Sequence, residues 1–465
     1  MSIDESRLRE IIHVLMSENK MPGLSIAIIR RGETLFAGGF GSRSLAEGLP
    51  ATPSTLYGVG SVTKSFTALA LMKLVEKGLL SPEDPVEKYV ELKVRPGGEE
   101  IRVEHLLAHS SGMPSLASAE LLIARLLGKA DPLIPLETID DLLLYANTYG
   151  GDAVAKPGSR YFYLNAGYVI LGEIIRRIAG KPYADFVRDE ILRPLGMERS
   201  TFSPEAFMRD EDRMTPYLDE DGRLVESRFP FHRLIEAAGG LLSSVAELSK
   251  YINMYLAGGR TPGGVEIISP RLLGEMLKPR IKVPAEAGLG EQYYAYGWSI
   301  STGFMGHRLV SHGGNIAVSS AYVAFLPDAG LGVAVLSNSD KTLVLRRIAF
   351  AGLALGLGRR PEELPGWRED ELLDRLTGLY ESRGGIVKAS VRRSGGALIV
   401  EERTLLSKQT YVLIPEKLDE HNPVFYIPAP GGRQYVDFLL DGGETILLLE
   451  RYRLRKISEK PGERW

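Results

Sequence analysis

The stretch GVGSVTKSFTALALMKLVEKG, residues 58–78, sets a serine and a lysine three positions apart at the head of an otherwise apolar run. Helical periodicity over 61–77 puts Ser61 and Lys64 on one face. Val62, Phe66, Leu69, Ala70, Leu71, Met72, Leu74 and Val75 cover most of the remaining circumference, and Gly78 supplies a stop. A helix apolar nearly all round is a buried one. Burial strips water from the Lys64 ammonium and lowers its pKa, so the amine can take a proton from a hydroxyl one turn away. Free N–H groups at the helix N-terminus offer a place for a developing oxyanion. Ser61 thus reads as a nucleophile and Lys64 as its base. The spacing alone also fits a helix cap beside a snorkelling lysine. A second copy, Ser17-Glu18-Asn19-Lys20, lies on an evidently solvated segment.

Outward from this helix the pattern stays mainly helical from 61 to about 260, with clear helices at 165–180 and 244–259. Towards the N-terminus, a helix over 7–17 precedes strand patterns at 24–30 and 33–40, joined by Arg31-Gly32 as a hairpin. Strand patterns return at 294–301, 307–313, 319–327 and 330–339, followed by a helix over 342–357. Strands from both ends around a helical middle predict an α+β fold in which one antiparallel sheet is completed by both termini and covered by helices. RRPEELPGWRED, 359–370, reads as a charged, Pro-rich linker. Beyond it VKASVRR, ALIVEE, TYVLIP, VFYIPA, QYVDFLL and ETILLLERYRL follow at regular spacing, with glycine turns between several of them. That spacing predicts an antiparallel β-barrel or sandwich. The expected organisation is a catalytic domain over 1–358, a linker over 359–371 and a β domain over 372–465.

Composition narrows the chemistry. The 465 residues are 44% hydrophobic and 25% charged, an ordinary globular balance. A net charge of −3 gives no electrostatic reason to expect nucleic acid. With no cysteine, disulfides, thiolate catalysis and Cys-ligated zinc are excluded. Only three glutamines occur, at 292, 409 and 434. Such scarcity of thermolabile side chains points to a thermophilic source. The start MSIDESRLREII lacks a signal peptide's basic and apolar regions, and the longest apolar run, 348–358, is too short to span a bilayer. A cytoplasmic protein without a membrane partner is therefore expected. His105 and His109 have the i, i+4 spacing of zinc ligands but lack the accompanying glutamate, and no G-x-S-x-G elbow or phosphate loop is found. No metal or cofactor is expected.

Two further motifs follow. In KPGSRYFYLNAGYVILGEIIRRIAG, 156–180, a Pro157-Gly158 turn presents Tyr163-Leu164-Asn165 at the mouth of an apolar helix. Tyr163 beside an ammonium is expected to have a lowered pKa and to share proton transfer with Lys64. Asn165 offers a donor and an acceptor to an amide-like substrate. His312-Gly313-Gly314 ends a strand pattern, and its glycines let backbone approach a ligand closely.

In order, Ser61-Val62-Thr63-Lys64, Tyr163-Leu164-Asn165 and His312-Gly313-Gly314 resemble the signature of the serine β-lactamase-like and penicillin-binding-protein superfamily. The likeness is to its class C β-lactamase and CubicO-type peptidase and esterase branch, and covers about residues 8–350. The resemblance implies a β-lactamase/transpeptidase-like fold and an acyl-enzyme on Ser61. Lys64 and Tyr163 would exchange protons, and the backbone N–H groups of Ser61 and Asn315 would form the oxyanion hole. Asn165, Gly313 and Gly314 would contact substrate. His312 stands where relatives with K-T-G carry a lysine. Being largely neutral near pH 7, it points away from β-lactams and towards peptidases and esterases. The β domain resembles a lipocalin-like extension that either restricts the active-site mouth or carries an oligomer interface. The expected protein is a homo-oligomeric serine peptidase on short peptides, D-residue-containing ones included, with a carboxylesterase or an inactive scaffold as alternatives.

Overall fold

The computed structural model describes residues 3–115, 117–129, 133–148, 150–220, 223–285 and 288–459. It divides into two compact units, Met1–Pro361 and Glu362–Trp465.

The first unit is built on a nine-stranded sheet. Its strands are β1 (Gly23–Arg30), β2 (Glu33–Ser44), β3 (Leu49–Pro50), β4 (Ile281–Lys282), β5 (Gln292–Tyr294), β6 (Ser299–Phe304), β7 (His307–Asn315), β8 (Ser320–Leu326) and β9 (Leu331–Ser337). They lie in the order β3-β2-β1-β9-β8-β7-β6-β5-β4. The two chain ends meet where β1 pairs antiparallel with β9, from Leu24 opposite Ser337 to Arg30 opposite Leu331. Strands β8 and β9 are buried along their whole length, so both faces of the sheet are covered. Alternation along β9 shows by what: a Cβ on Gly332 would meet Ile252, whereas Leu331, pointing the other way, lies against Gly356. Helix α1 (Glu5–Glu18) and α7 (Thr342–Gly356) pack on the latter side, α6 (Val245–Leu256) on the former.

Between the two sets of strands the chain forms the helical layer, which includes α2 (Thr63–Glu76), α3 (Ser118–Leu126), α4 (Asn165–Ala179) and α5 (Arg233–Gly239). Residues Thr63–Met72 and Leu74 of α2 are all buried, as an all-round apolar helix requires. One expected strand, 294–301, is instead two: the chain turns at 295–298, where the Ala295 N–H donates to the Trp298 carbonyl at 2.8 Å.

In the second unit β10 (Gly378–Glu381), β11 (Lys388–Ser394), β12 (Ala397–Arg403), β13 (Lys408–Lys417), β14 (Val424–Ala429), β15 (Gly432–Asp441), β16 (Glu444–Leu449) and β17 (Tyr452–Ser458) form a closed up-and-down barrel. Two of these differ from expectation. Strand β10 is additional, and the run 444–454 is broken by a turn at Glu450, whose φ is +52°. The expected linker is also only partly one. Residues Trp367–Arg375 form helix α8, which buries Trp367, Leu372 and Leu373. Leu373 and Leu376 join Tyr380, Phe425 and Phe438 in the barrel core, and the Tyr380 hydroxyl donates to the Leu376 carbonyl at 2.7 Å.

Candidate active site

Ser61 lies in a single 3-10 turn, Gly60–Val62, that leads straight into α2, rather than on the α-helix itself. The turn is forced by close approach. Gly60 has φ +50°, and a Cβ there would sit 2.5 Å from the Asn315 nitrogen. A Cβ on Gly314 would sit 1.9 Å from the Val59 carbonyl oxygen and 3.2 Å from the Ser61 nitrogen. Only glycine at both positions lets segment 59–61 and the end of β7 run backbone against backbone, with the Ser61 and Asn315 nitrogens at the contact. The Asn315 side chain is used locally: its amide donates to Asp340, and its oxygen accepts the Ala317 N–H at 2.7 Å.

Lys64, fully buried, occupies the second position of α2. Its Nζ lies 3.0 Å from Ser61 Oγ and donates to the Ala238 carbonyl, on α5, at 2.7 Å. The rings of Tyr163 and Tyr168 flank it at 4.9 and 5.6 Å. Burial pushes the ammonium from its usual 10.5 down to about 7, partly opposed by the charge of Glu120 on α3. A neutral Lys64 amine can therefore accept the Ser61 proton near neutral pH.

Tyr163 stands just before α4, with its ring over the ammonium. The expectation of a lowered phenol pKa is overturned. Burial raises it well above the ordinary value, outweighing the opposing influence of the Ser61 hydroxyl. The phenol oxygen is buried and makes no well-formed hydrogen bond among the described residues. Tyr163 therefore keeps its proton at neutral pH and does not start as a phenolate.

His312, on β7, is buried and neutral. Its Nδ1–H donates to the Gly313 carbonyl at 2.6 Å, and the Tyr294 hydroxyl donates to Nε2 at 2.9 Å. Burial and the nearby Lys64 charge push its pKa down to about 3. Its ring centroid is 6.4 Å from that of Tyr163, so the two are neighbours without a direct hydrogen bond. Asn165 opens α4, half-buried, and no hydrogen bond links it to Ser61 or Lys64 among the described residues. Gly313 packs against Thr342 and Tyr322, while Gly314 faces the turn that carries Ser61.

Sequence reasoning missed three participants. Tyr294 donates to His312 Nε2 from 18 positions away, while the Gly313 carbonyl fixes the proton on Nδ1. Ala238 supplies the carbonyl that orients Lys64. His109, read only for its zinc-like spacing from His105, has its ring 4.1 Å from that of Tyr163. His105 and His109 each use Nδ1 to accept a backbone N–H, from Arg102 and Leu164 respectively. No described helix is long and apolar enough to cross a membrane.

The profile of the Beta-lactamase family matches residues 8–357, and that of the Pab87 octamerisation domain matches residues 361–455. Among solved structures, the octameric penicillin-binding protein homologue from Pyrococcus abyssi aligns with a TM-score of 0.91 at 42% identity, covering 98% of this chain and 100% of its own. Protein flp of Staphylococcus aureus (strain MW2) is 26% identical over 346 residues, 73% of this chain; the chain spans only 64% of that relative's length. Penicillin-binding protein 4 of Amycolatopsis lactamdurans is 25% identical over 408 residues, 83% of this chain and 100% of its own.

Proposed function

Because the chain belongs to the β-lactamase/penicillin-binding-protein family of serine hydrolases, we propose that it hydrolyses short peptides through an acyl-enzyme on Ser61. The observation that carries this is the buried Lys64 amine 3.0 Å from Ser61 Oγ, with its pKa lowered to about 7. Neutral Lys64 takes the Ser61 proton as Oγ attacks the carbonyl. The oxyanion gathers at the Ser61 and Asn315 N–H groups. Lys64, now an ammonium, returns the proton to the leaving amine with the Tyr163 phenol as relay. Water then repeats the sequence on the ester.

The charges around the nucleophile bear on substrate class. His312 is neutral, and the charge that acts on Lys64 from outside is the carboxylate of Glu120. Nothing in that set attracts a substrate carboxylate, which favours a peptide or ester bond away from a free C-terminus over a β-lactam. Carboxylester hydrolysis is the second reading, since the same neutral pocket suits an ester.

Intact mass after exposure to a small fluorophosphonate, wild type beside Ser61→Ala, tests the nucleophile. One adduct on wild type alone supports the reading; no adduct on folded wild type overturns it. A panel of L- and D-residue peptides and simple esters then decides between the two substrates.

We further infer that the chain is a homo-oligomer assembled through its barrel. The octamerisation-domain match and the octameric homologue support this. So does the β12–β13 hairpin tip, where Leu405 and Leu406 are 83% and 98% exposed. The tip is held stiff by bonds from Leu406 N–H and Ser407 N–H to Thr404 Oγ1 at 3.2 and 3.0 Å. Two leucines presented so fully to solvent fit a protein interface. Replacing both by serine should shrink the assembly in analytical ultracentrifugation; an unchanged sedimentation coefficient would count against the tip.

A further inference from the structure

We propose that His109 is the positioning residue for Tyr163, holding the phenol in place by accepting a backbone hydrogen bond through an unprotonated Nδ1. The inference rests on the role given to Tyr163 above.

His109 grips both neighbours of Tyr163 in the chain and the tyrosine ring as well. Its carbonyl accepts the Phe162 N–H at 2.8 Å. Its Nδ1 accepts the Leu164 N–H at 3.1 Å. Its ring lies against the Tyr163 ring at 4.1 Å with the planes 38° apart. The backbone is thereby fixed on either side of Tyr163, and the ring contact limits the side-chain torsions that remain. Leu164 is also the residue that caps α4, so the same bond sets where the helix begins.

Two features of His109 are costly and make sense only if the acceptor matters. First, its φ of +54° lies in the left-handed region, which most side chains avoid but His, Asn and Gly tolerate. Second, because Nδ1 accepts, the proton sits on Nε2, and that atom is buried with no hydrogen-bond partner. An apolar side chain would fill the same space without an orphaned donor, but it could not accept from Leu164. The groups facing the ring are Tyr161, Tyr163, Tyr168 and Tyr294, and burial, helped by the nearby Lys64 charge, opposes a positive charge on it. The surroundings therefore keep the imidazole neutral, as the acceptor role requires. No hydrogen bond joins His109 to Ser61 or Lys64 among the described residues, so it acts through Tyr163.

His109→Gly and His109→Asn in the full chain test this, each alone and with Tyr163→Phe. Both replacements suit the left-handed backbone, but only Asn retains an acceptor. On the best substrate of the panel, His109→Gly should lower kcat by about 10- to 100-fold with little change in KM, as loss of an aligned proton donor would. His109→Asn should recover most of that loss. In the Tyr163→Phe background His109→Gly should cost little more, because there is no phenol left to position. Equal losses in both backgrounds overturn the proposal, as does a folded His109→Asn no better than His109→Gly. Should His109→Gly melt below the assay temperature, His109→Asn decides alone: a loss much beyond about tenfold in kcat overturns the acceptor role. Fluorophosphonate labelling separates the two levels. An unlabelled wild type sinks the hydrolase reading and the proposal with it, whereas a labelled wild type with additive losses sinks only the role of His109.

Discussion

The chain carries the pattern S-x-x-K twice, at Ser17–Lys20 and at Ser61–Lys64, and the two copies meet opposite fates. The first lies at the C-terminal end of α1, where Ser17 and Lys20 are exposed and Lys20 has left the helix with φ +50°. The second lies at the N-terminal end of α2, where Lys64 is fully buried between two tyrosine rings and the Ala238 carbonyl. A helix end that offers carbonyls cannot hold an oxyanion; one that offers N–H groups can. A lysine in water remains a cation near neutrality; one without water becomes a base. The motif supplies atoms at the right spacing, and the helix end and its burial supply the chemistry.

The sharpest way to break this contrast is to remove each serine. Ser61→Ala should lower kcat/KM by about 10⁴-fold or more, the scale on which a catalytic nucleophile is missed. Ser17→Ala should leave it unchanged.

Lys64→Met should come close to the same loss of activity and should change stability as well. The folded pKa of Lys64 is depressed from 10.5 to about 7, so the unfolded chain binds the extra proton between those values. Stability must then rise with pH across that window, because folding below it buries a charged ammonium. Lys64→Met should remove this slope, and near pH 7 it should raise the melting temperature while activity disappears. A steeper or unchanged slope in urea titrations at pH 7 and 10 would refute a buried, neutralised lysine. Lys20→Met should alter neither rate nor substrate range.

Tyr163→Phe should reduce kcat by roughly 10²- to 10⁴-fold, the range for a general acid or base, with Ser61 still open to fluorophosphonate. The smallest effect is expected from Glu120→Gln. The Glu120 charge raises the Lys64 pKa, so its removal should move the acid limb of the pH–rate profile below the wild-type position near 7. Raising the salt concentration should shift the wild-type limb the same way, since Glu120 is exposed and its field is screened.

Much of this was legible in the sequence because it is written in periodicity. The buried helix, the N-terminal hairpin, the strand run after 307 and the β-rich C-terminal unit all carry patterns that a few adjacent residues decide. What was not legible depends on enclosure by distant residues. The Tyr163 phenol was expected to follow the neighbouring ammonium, but burial raises its pKa instead. Tyr294 could not be tied to His312 without knowing that β5, β6 and β7 are neighbours in the sheet. Residues 294–301 misled because Tyr294, Tyr296, Trp298 and Ile300 alternate as in a strand although the chain turns between them. In the expected linker, Pro361, Pro365 and a run of charges masked Trp367, which helix α8 buries along with Leu372 and Leu373 just beyond it.

The pairing of β1 with β9 also governs how the molecule comes into being. Strand β1 is apolar along nearly its whole length, and its neighbour on one side, β9, ends at Ser337. On a ribosome adding about 5–20 residues per second, the N-terminal hairpin waits roughly 15–60 s for that partner. Until then it offers a bare strand edge to any other nascent chain. The active-site helices are made during this interval and cannot dock on a finished sheet. Assembly of the site is therefore a late event in biogenesis.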